Sequence, residues 1–176
     1  MIKKISLFAA VIFMAITANA QIKLIGGVGL AMPMGDFADV AKTGFGINVG
    51  GKYMLNEKMA VGANLGYFMM GEEIDGVKIS VMPIMGSFTY YFGSEGFKPY
   101  AGVDLGFYSS KAKYDDNLGM DDDSETDFGF APTVGFEYGF SDNLALDVNA
   151  KYNYIMSDPD SQSFFGINVG IIYTLK

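Results

Sequence analysis

The sequence contains no cysteine, histidine, tryptophan or arginine, and the absence of cysteine, histidine and arginine each removes a class of chemistry. Without cysteine the chain forms no disulfide and offers no thiolate nucleophile or thiolate metal ligand. Without histidine it lacks the usual general base, and without arginine it lacks the usual bidentate clamp for phosphate. The net charge of -8 disfavours binding to nucleic acid, which requires a cationic surface. We therefore expect no enzymatic activity, no cofactor, no metal site and no nucleic-acid partner.

The first 20 residues predict a secretory signal peptide. Lys3 and Lys4 form a basic start, and an apolar run over 5–16 follows that is too short to span a bilayer. Ala18-Asn19-Ala20 is a small-residue cleavage site, so we expect cleavage between Ala20 and Gln21. The exported chain would be residues 21–176, with 10 Lys and 20 acidic residues and a net charge of -10.

The exported part contains strand-like segments in which large apolar residues alternate with small or polar ones. In the last segment Ile167, Val169 and Ile171 share one face, while Asn168 and Gly170 share the other. The segments are longer than the roughly 5–6 residues of typical globular strands. They have the length of tilted strands that cross a hydrocarbon layer. The predicted strands are eight: 22–31, 44–55, 59–70, 77–92, 99–111, 128–140, 144–156 and 164–175.

The segments between these strands alternate between short and long, which is typical of an outer-membrane barrel with periplasmic turns and extracellular loops. A water-soluble β-sandwich would also alternate, but its exterior would carry many more charges. We therefore predict an all-β fold, an eight-stranded antiparallel up-and-down transmembrane β-barrel, over residues 21–176. Alternation between Val77 and Pro83 does not keep one phase, and we expect a β-bulge there.

A short internal repeat, V-G-x-x-Y-x-[L/F], begins at Val49, Val134 and Val169, with a looser copy from Gly86. Each copy lies in an even-numbered strand and ends at the predicted periplasmic rim. The repeat predicts an outward-facing aromatic girdle at the membrane interface. Its members are Tyr53, Tyr90, Tyr138 and Tyr173.

These features resemble the bacterial outer-membrane β-barrel domain family, the group of small barrels similar to OmpA and OmpX. The resemblance covers residues 21–176 and rests on the signal peptide, the alternation, the strand start from Lys98 and the closing strand. The closing Gly170-x-x-Tyr173-x-Leu175 is similar to the signal that the barrel-assembly machinery reads in this family. The resemblance implies an integral protein of a Gram-negative outer membrane, with that machinery and membrane lipid as partners.

The faces opposite the apolar ones carry charges of both signs, which would lie inside the barrel. An eight-stranded barrel is just wide enough for side chains to fill its interior, and unpaired buried charge is costly. We therefore predict a polar network that closes the interior, with a gated narrow ion path as the alternative. Its charged members are Lys23, Lys52, Asp104, Glu137, Asp147 and Lys151, joined by Asn48, Asn64, Asn149, Asn153 and Asn168.

The segment 115–127 is strongly acidic and is predicted to be a solvated loop. Alternating Asp121, Asp123, Glu125 and Asp127 could supply oxygen ligands to Ca²⁺ or Mg²⁺, which is the alternative interpretation. For the protein as a whole we expect a structural role in the envelope, with loops displayed at the surface. The alternatives are a narrow pore for ions or small solutes, and an adhesin whose loops bind an unknown surface ligand.

Overall fold

The computed structural model describes residues 21–72, 77–93, 96–114, 123–158 and 160–175. They form a closed barrel in which each strand pairs antiparallel with its sequence neighbours and β1 pairs with β8. A turn of 3-10 helix, Gly35–Asp39, joins the first two strands. The all-β, eight-stranded antiparallel up-and-down barrel predicted from the sequence is therefore confirmed. The strands are β1 (Ile22–Met34), β2 (Ala41–Met54), β3 (Met59–Glu72), β4 (Val77–Tyr91), β5 (Phe97–Tyr114), β6 (Asp123–Gly139), β7 (Leu144–Ile155) and β8 (Gln162–Leu175).

The barrel wall has an apolar outer face, because side chains alternate between the two faces of a strand. In β8, Val169 and Ile171 point outward and are 44% and 46% exposed, whereas Phe164 and Ile172 point inward and are buried. The same outward exposure recurs in other strands, as at Val28, Phe45 and Val134. Soluble monomers rarely expose apolar patches beyond a few hundred Å². An apolar wall of this extent is the surface expected to contact lipid.

The described residues contain no helix that is both long and apolar enough to cross a membrane.

The β5–β6 hairpin is longer than the sequence predicts. β5 continues to Tyr114 and β6 begins at Asp123, so Ala112 pairs with Asp123 and Ser110 with Glu125. The acidic segment over 123–127 is therefore strand, and its prediction as loop is wrong for those residues. Asp and Glu have low strand propensity, but pairing with the extended β5 overrides that local preference.

The predicted bulge in the fourth strand is also wrong. β4 pairs with β5 in one unbroken register from Val77 to Tyr91, and its register with β3 does not shift. The irregularity lies instead in β2, between Lys42 and Phe45. The alternation of β4 is hard to recognise in the sequence because its inward residue Val81 is as apolar as its outward neighbour Met82, while the outward residue Ser80 is polar.

The two ends of the barrel differ in their connections. At the end that we call the turn end, short segments connect β2 to β3, β4 to β5 and β6 to β7, and both Gln21 and Leu175 lie there. The opposite end, the loop end, carries the 3-10 helix and the segments 73–76, 115–122 and 156–161. Segments 73–76 and 115–122 lie outside the described residues.

Two of the short turns are held by equivalent hydrogen bonds. The Asn56 side-chain oxygen accepts from the backbone N–H groups of Lys58 and Met59, at 2.9 Å each. The Ser141 hydroxyl oxygen accepts in the same way from Asn143, at 3.4 Å, and Leu144, at 3.1 Å. Asn and Ser favour such turns because their side chains replace the backbone acceptor. The internal repeat therefore continues into the turns that follow its first two copies.

Candidate functional site: the barrel interior

The strand register places the predicted charges on opposite walls of the interior. Lys23 of β1 lies directly opposite Lys52 of β2, and Glu137 of β6 directly opposite Asp147 of β7. Like charges side by side in a ladder repel each other. Here the repulsion within each wall is offset by attraction between the walls, because β1–β2 and β6–β7 face each other across the closed sheet.

Glu137 is the centre of the charged group at the turn end. Its carboxylate is 2% exposed and accepts from Lys23 Nζ, at 2.5 Å, and from Lys52 Nζ, at 3.4 Å. The Tyr91 hydroxyl donates to the same carboxylate at 2.6 Å. Three donors on one buried carboxylate replace the water that it loses, which is what makes a buried charge tolerable.

Two tyrosine rings extend this group, and the sequence analysis missed both. Lys23 Nζ lies 4.7 Å from the ring centroid of Tyr91, and Lys52 Nζ lies 4.4 Å from that of Tyr100. The Tyr100 hydroxyl donates to Asp147 at 2.7 Å, which links the lysine side of the interior to the second carboxylate. Alternation could have found Tyr91, since Tyr90 points outward and the next residue must point inward.

Among the described residues, no lysine lies within salt-bridge distance of Asp147, so the predicted charges do not pair one to one. It accepts instead from Tyr100 and from the Asn149 side-chain amide, at 2.6 Å. Asn168 donates to Asn149 at 3.0 Å, and Asn48 donates to Asn168 at 3.2 Å. These amides form a relay around the barrel wall that ends on the carboxylate.

The remaining predicted pair lies further towards the middle of the barrel. Lys151 Nζ is 2.6 Å from the Asp104 carboxylate, which also accepts from the Asn64 amide at 3.4 Å. Asn153 accepts from the Tyr108 hydroxyl at 2.9 Å. Among the described residues, every buried side-chain nitrogen and oxygen has a hydrogen-bond partner. All six predicted charged residues thus face the interior. Lys23, Lys52 and Glu137 form one group and Lys151 and Asp104 form an ion pair, whereas Asp147 is held by neutral donors.

The loop end of the interior is apolar, which the sequence analysis did not anticipate. The Phe164 ring lies 6.1 Å from the Phe68 ring and 6.2 Å from the Tyr108 ring, measured between centroids. Phe37, from the 3-10 helix, is 4% exposed and packs into the same group. We call these buried residues the apolar plug. Its members are Ala31, Phe37, Ala41, Phe68, Met70, Val81, Met85, Tyr108, Ile155 and Phe164.

A cavity of about 80 Å³ remains where the polar and apolar parts meet. Its lining includes the polar residues Asn64, Asp104 and Lys151 as well as the aromatic residues Phe68 and Phe164. A water molecule occupies roughly 30 Å³ of liquid, so this space holds a few waters and no large solute.

Glycines on the inner face make room for the tyrosine rings. A methyl group at Gly135 would lie 2.5 Å from the Val148 carbonyl oxygen and 2.8 Å from the Tyr100 ring, and one at Gly129 would lie 2.7 Å from the Tyr108 ring. The glycines therefore serve both close strand packing and a filled interior.

The four predicted girdle tyrosines point outward near the turn end. Tyr90, Tyr138 and Tyr173 are 39%, 52% and 46% exposed, and Tyr53 is half-buried. Their position at a membrane interface stays a prediction, as does the signal peptide, whose cleavage site at Ala20 lies outside the described residues. Of the predicted cation ligands, Asp121 also lies outside them. Among the residues that are described, no three acidic side chains are placed to hold a metal ion.

Comparison with known proteins decides the family. A model of the outer membrane protein β-barrel domain matches residues 6–172. The chain belongs to this family. The family indicates the outer membrane of a Gram-negative bacterium as its location. No curated protein sequence matches the chain significantly.

Solved structures of small outer-membrane barrels share the fold at low sequence identity. Neisserial surface protein A is 19% identical, with a TM-score of 0.67, over 89% of this chain and 97% of that one. Ail of Yersinia pestis is 16% identical, with a TM-score of 0.65, over 90% and 100%. OprG of Pseudomonas aeruginosa is 14% identical, with a TM-score of 0.65, over 89% and 96%. The resemblance to OmpA and OmpX in particular stays a resemblance.

Proposed function

We propose that this family member is a closed outer-membrane scaffold that stabilises the envelope and displays its loop end at the cell surface. The observation that supports this is that side chains fill the interior at both ends of the barrel. A solute entering from the turn end meets the group around Glu137, and one entering from the loop end meets the apolar plug. The cavity between them measures only about 80 Å³, which supports a filled interior.

Ion conductance in planar bilayers tests the closed interior. Refolded protein, residues 21–176, is expected to give no channel openings, with folding checked by its heat-modifiable gel mobility. Discrete openings from folded protein would overturn the scaffold proposal.

A gated ion path is the second candidate, and one arrangement favours it. Lys52 Nζ is 3.4 Å from the Glu137 carboxylate, which is a longer contact than that of Lys23 Nζ. Lys52 Nζ also lies over the ring of Tyr100, whose hydroxyl donates to Asp147. Under this candidate, the Lys52 ammonium group moves from the Glu137 carboxylate to the Asp147 carboxylate and thereby opens or closes an ion path through the turn end. Under this candidate Lys52→Ala changes conductance, whereas the exposed-turn variant Lys58→Ala does not. Equal conductance in wild type and Lys52→Ala removes the candidate.

The orientation of the barrel has a direct test, because the chain contains no native cysteine. Ser161→Cys places one thiol at the loop end, and Asp142→Cys places one in an exposed turn at the opposite end. A membrane-impermeant maleimide should label only the Ser161→Cys variant on intact cells. Labelling of Asp142→Cys alone would reverse the proposed orientation.

A further inference from the structure

Three lysines lie together on the outer surface of the barrel near the loop end. Lys78 of β4 lies directly opposite Lys113 of β5, and Lys111 lies two residues before Lys113 on the same face. All three side chains are exposed. We call Lys78, Lys111 and Lys113 the outer lysine patch.

Alternation separates this patch from the acidic residues of the same hairpin. Asp123, Glu125 and Asp127 are in phase with Gly129 and Ala131, which are buried, so they belong to the inner face. The outward residues that pair with the patch are hydroxylic, since Lys111 lies opposite both Ser80 and Ser124. The described outer face of β4–β6 at this level therefore carries cations and hydroxyl groups without a carboxylate.

The patch continues directly from the lipid-facing wall. Phe107 and Phe128 make an edge contact on the outer surface, with ring centroids 5.8 Å apart, and are 54% and 44% exposed. Lys111 follows Phe107 by four residues on the same face. That is about 13 Å along the strand, or roughly 10 Å along the membrane normal for a tilt of about 40°. Such a height corresponds to the headgroup layer that borders the hydrocarbon core.

The three lysines have no counter-charge in the described part of the chain. The salt bridges of Lys23, Lys52 and Lys151 lie in the interior, on Glu137 and Asp104, and involve none of the three patch lysines. Like charges directly opposite in a ladder, such as Lys78 and Lys113, destabilise the pairing unless an anion lies between them. The exported chain is otherwise acidic, so this cationic face does not follow from overall composition.

We infer that the outer lysine patch binds the phosphate groups of lipid headgroups in the outer leaflet. A phosphate offers several acceptor oxygens, and lysine binds it as a point charge. A lipid-borne phosphate fits better than a soluble anion, because the patch continues from the lipid-facing wall and lies at headgroup height. Bound phosphate also relieves the repulsion between Lys78 and Lys113. The inference rests on the proposed orientation, in which the loop end faces the cell exterior.

Native mass spectrometry of the refolded protein, residues 21–176, with lipid A tests this inference. Wild type should retain phosphorylated lipid A in preference to chemically dephosphorylated lipid A. An exposed basic residue near an anionic membrane contributes about five-fold in affinity. Lys111→Gln/Lys113→Gln should therefore lower the preference by an order of magnitude, and the triple variant with Lys78→Gln should abolish it.

The matched control for the single variant Lys111→Gln is Lys58→Gln, which removes one exposed charge at the turn end and should keep the preference. Equal retention of phosphorylated lipid by wild type and the triple variant would overturn the inference, and so would equal loss in the control variant. Inorganic phosphate at millimolar concentration should not displace the lipid. Displacement by it would identify a site for soluble anions instead.

Conductance and cysteine labelling separate this inference from the proposed function. If the protein gives no channel openings, has the proposed orientation and shows no preference for phosphorylated lipid A, the inference about the outer lysine patch is refuted and the proposed function stands. If the protein conducts ions but still prefers phosphorylated lipid A, the closed-scaffold proposal is refuted and the inference about the patch stands.

Discussion

At the turn end of the interior, the Glu137 carboxylate accepts from two ammonium groups and a phenol hydroxyl, whereas at the loop end the Phe164 ring packs among the buried residues of the apolar plug. Both ends are filled, but by different physics. Hydrogen bonds and ion pairs are directional, so removal of one partner leaves the others buried and unpaired. Apolar packing is non-directional, so a smaller side chain costs transfer free energy plus a cavity. The two ends should therefore respond differently to comparable substitutions.

The largest expected effect comes from removing the shared carboxylate. Glu137→Ala leaves Lys23 and Lys52 buried without their acceptor, and should lower the free energy of unfolding by about 3–5 kcal/mol. Urea unfolding in lipid vesicles, followed by heat-modifiable gel mobility, measures this loss. Glu57→Ala, in an exposed turn, is the matched control and should change stability by less than about 0.5 kcal/mol. Similar losses in the two variants would contradict the role given to Glu137.

The apolar plug should respond somewhat less strongly. Phe164→Ala removes a ring that is 1% exposed and should cost about 3 kcal/mol, with little dependence on salt because no charge is involved. Phe165→Ala, on the outer surface, should cost only about 1 kcal/mol because lipid fills the space. The same unfolding measurement at low and high salt checks both values. If Phe165→Ala lowered the free energy of unfolding more than Phe164→Ala does, the interior at the loop end would not be tightly packed.

Adjacent tyrosines sharpen the comparison at the level of one hydroxyl group. Tyr91→Phe removes a donor to Glu137 and should cost about 1.5 kcal/mol, as hydrogen bonds to charged groups do. Tyr90→Phe removes a hydroxyl from the outer face and should change stability by less than about 0.5 kcal/mol. Equal losses in the two unfolding curves would contradict the inward placement of Tyr91.

The smallest effect is expected where both partners of an ion pair are removed together. Lys151→Met should cost about 2 kcal/mol because it leaves the buried Asp104 carboxylate with one weak donor, Asn64. Adding Asp104→Asn should restore stability to within about 1 kcal/mol of wild type, since no charge then stays unpaired. A double-mutant cycle measures the coupling. An additive double variant would show that the pair does not interact.

Much of the barrel could be predicted from residue alternation. The strand count follows from period two, and the strand order follows from the alternation of short and long connections. Lys52, Glu137 and Lys151 are predicted to point inward because they lie on the faces opposite the apolar ones. The bulge and the start of β6 were predicted wrongly, for one shared reason. At Val81 the inner face is as apolar as the outer, and at Glu125 both faces are polar, so the contrast between faces disappears.

The sequence by itself therefore determined the barrel, its apolar wall and which residues face inward, because these depend on chain-local patterns of hydropathy. Only the tertiary structure decided which inward residues meet. Glu137 takes both Lys23 and Lys52, and Asp147 takes Tyr100 in place of a lysine. These partners lie on strands far apart in sequence. Their contacts depend on the register and closure of the whole sheet, which no local pattern specifies.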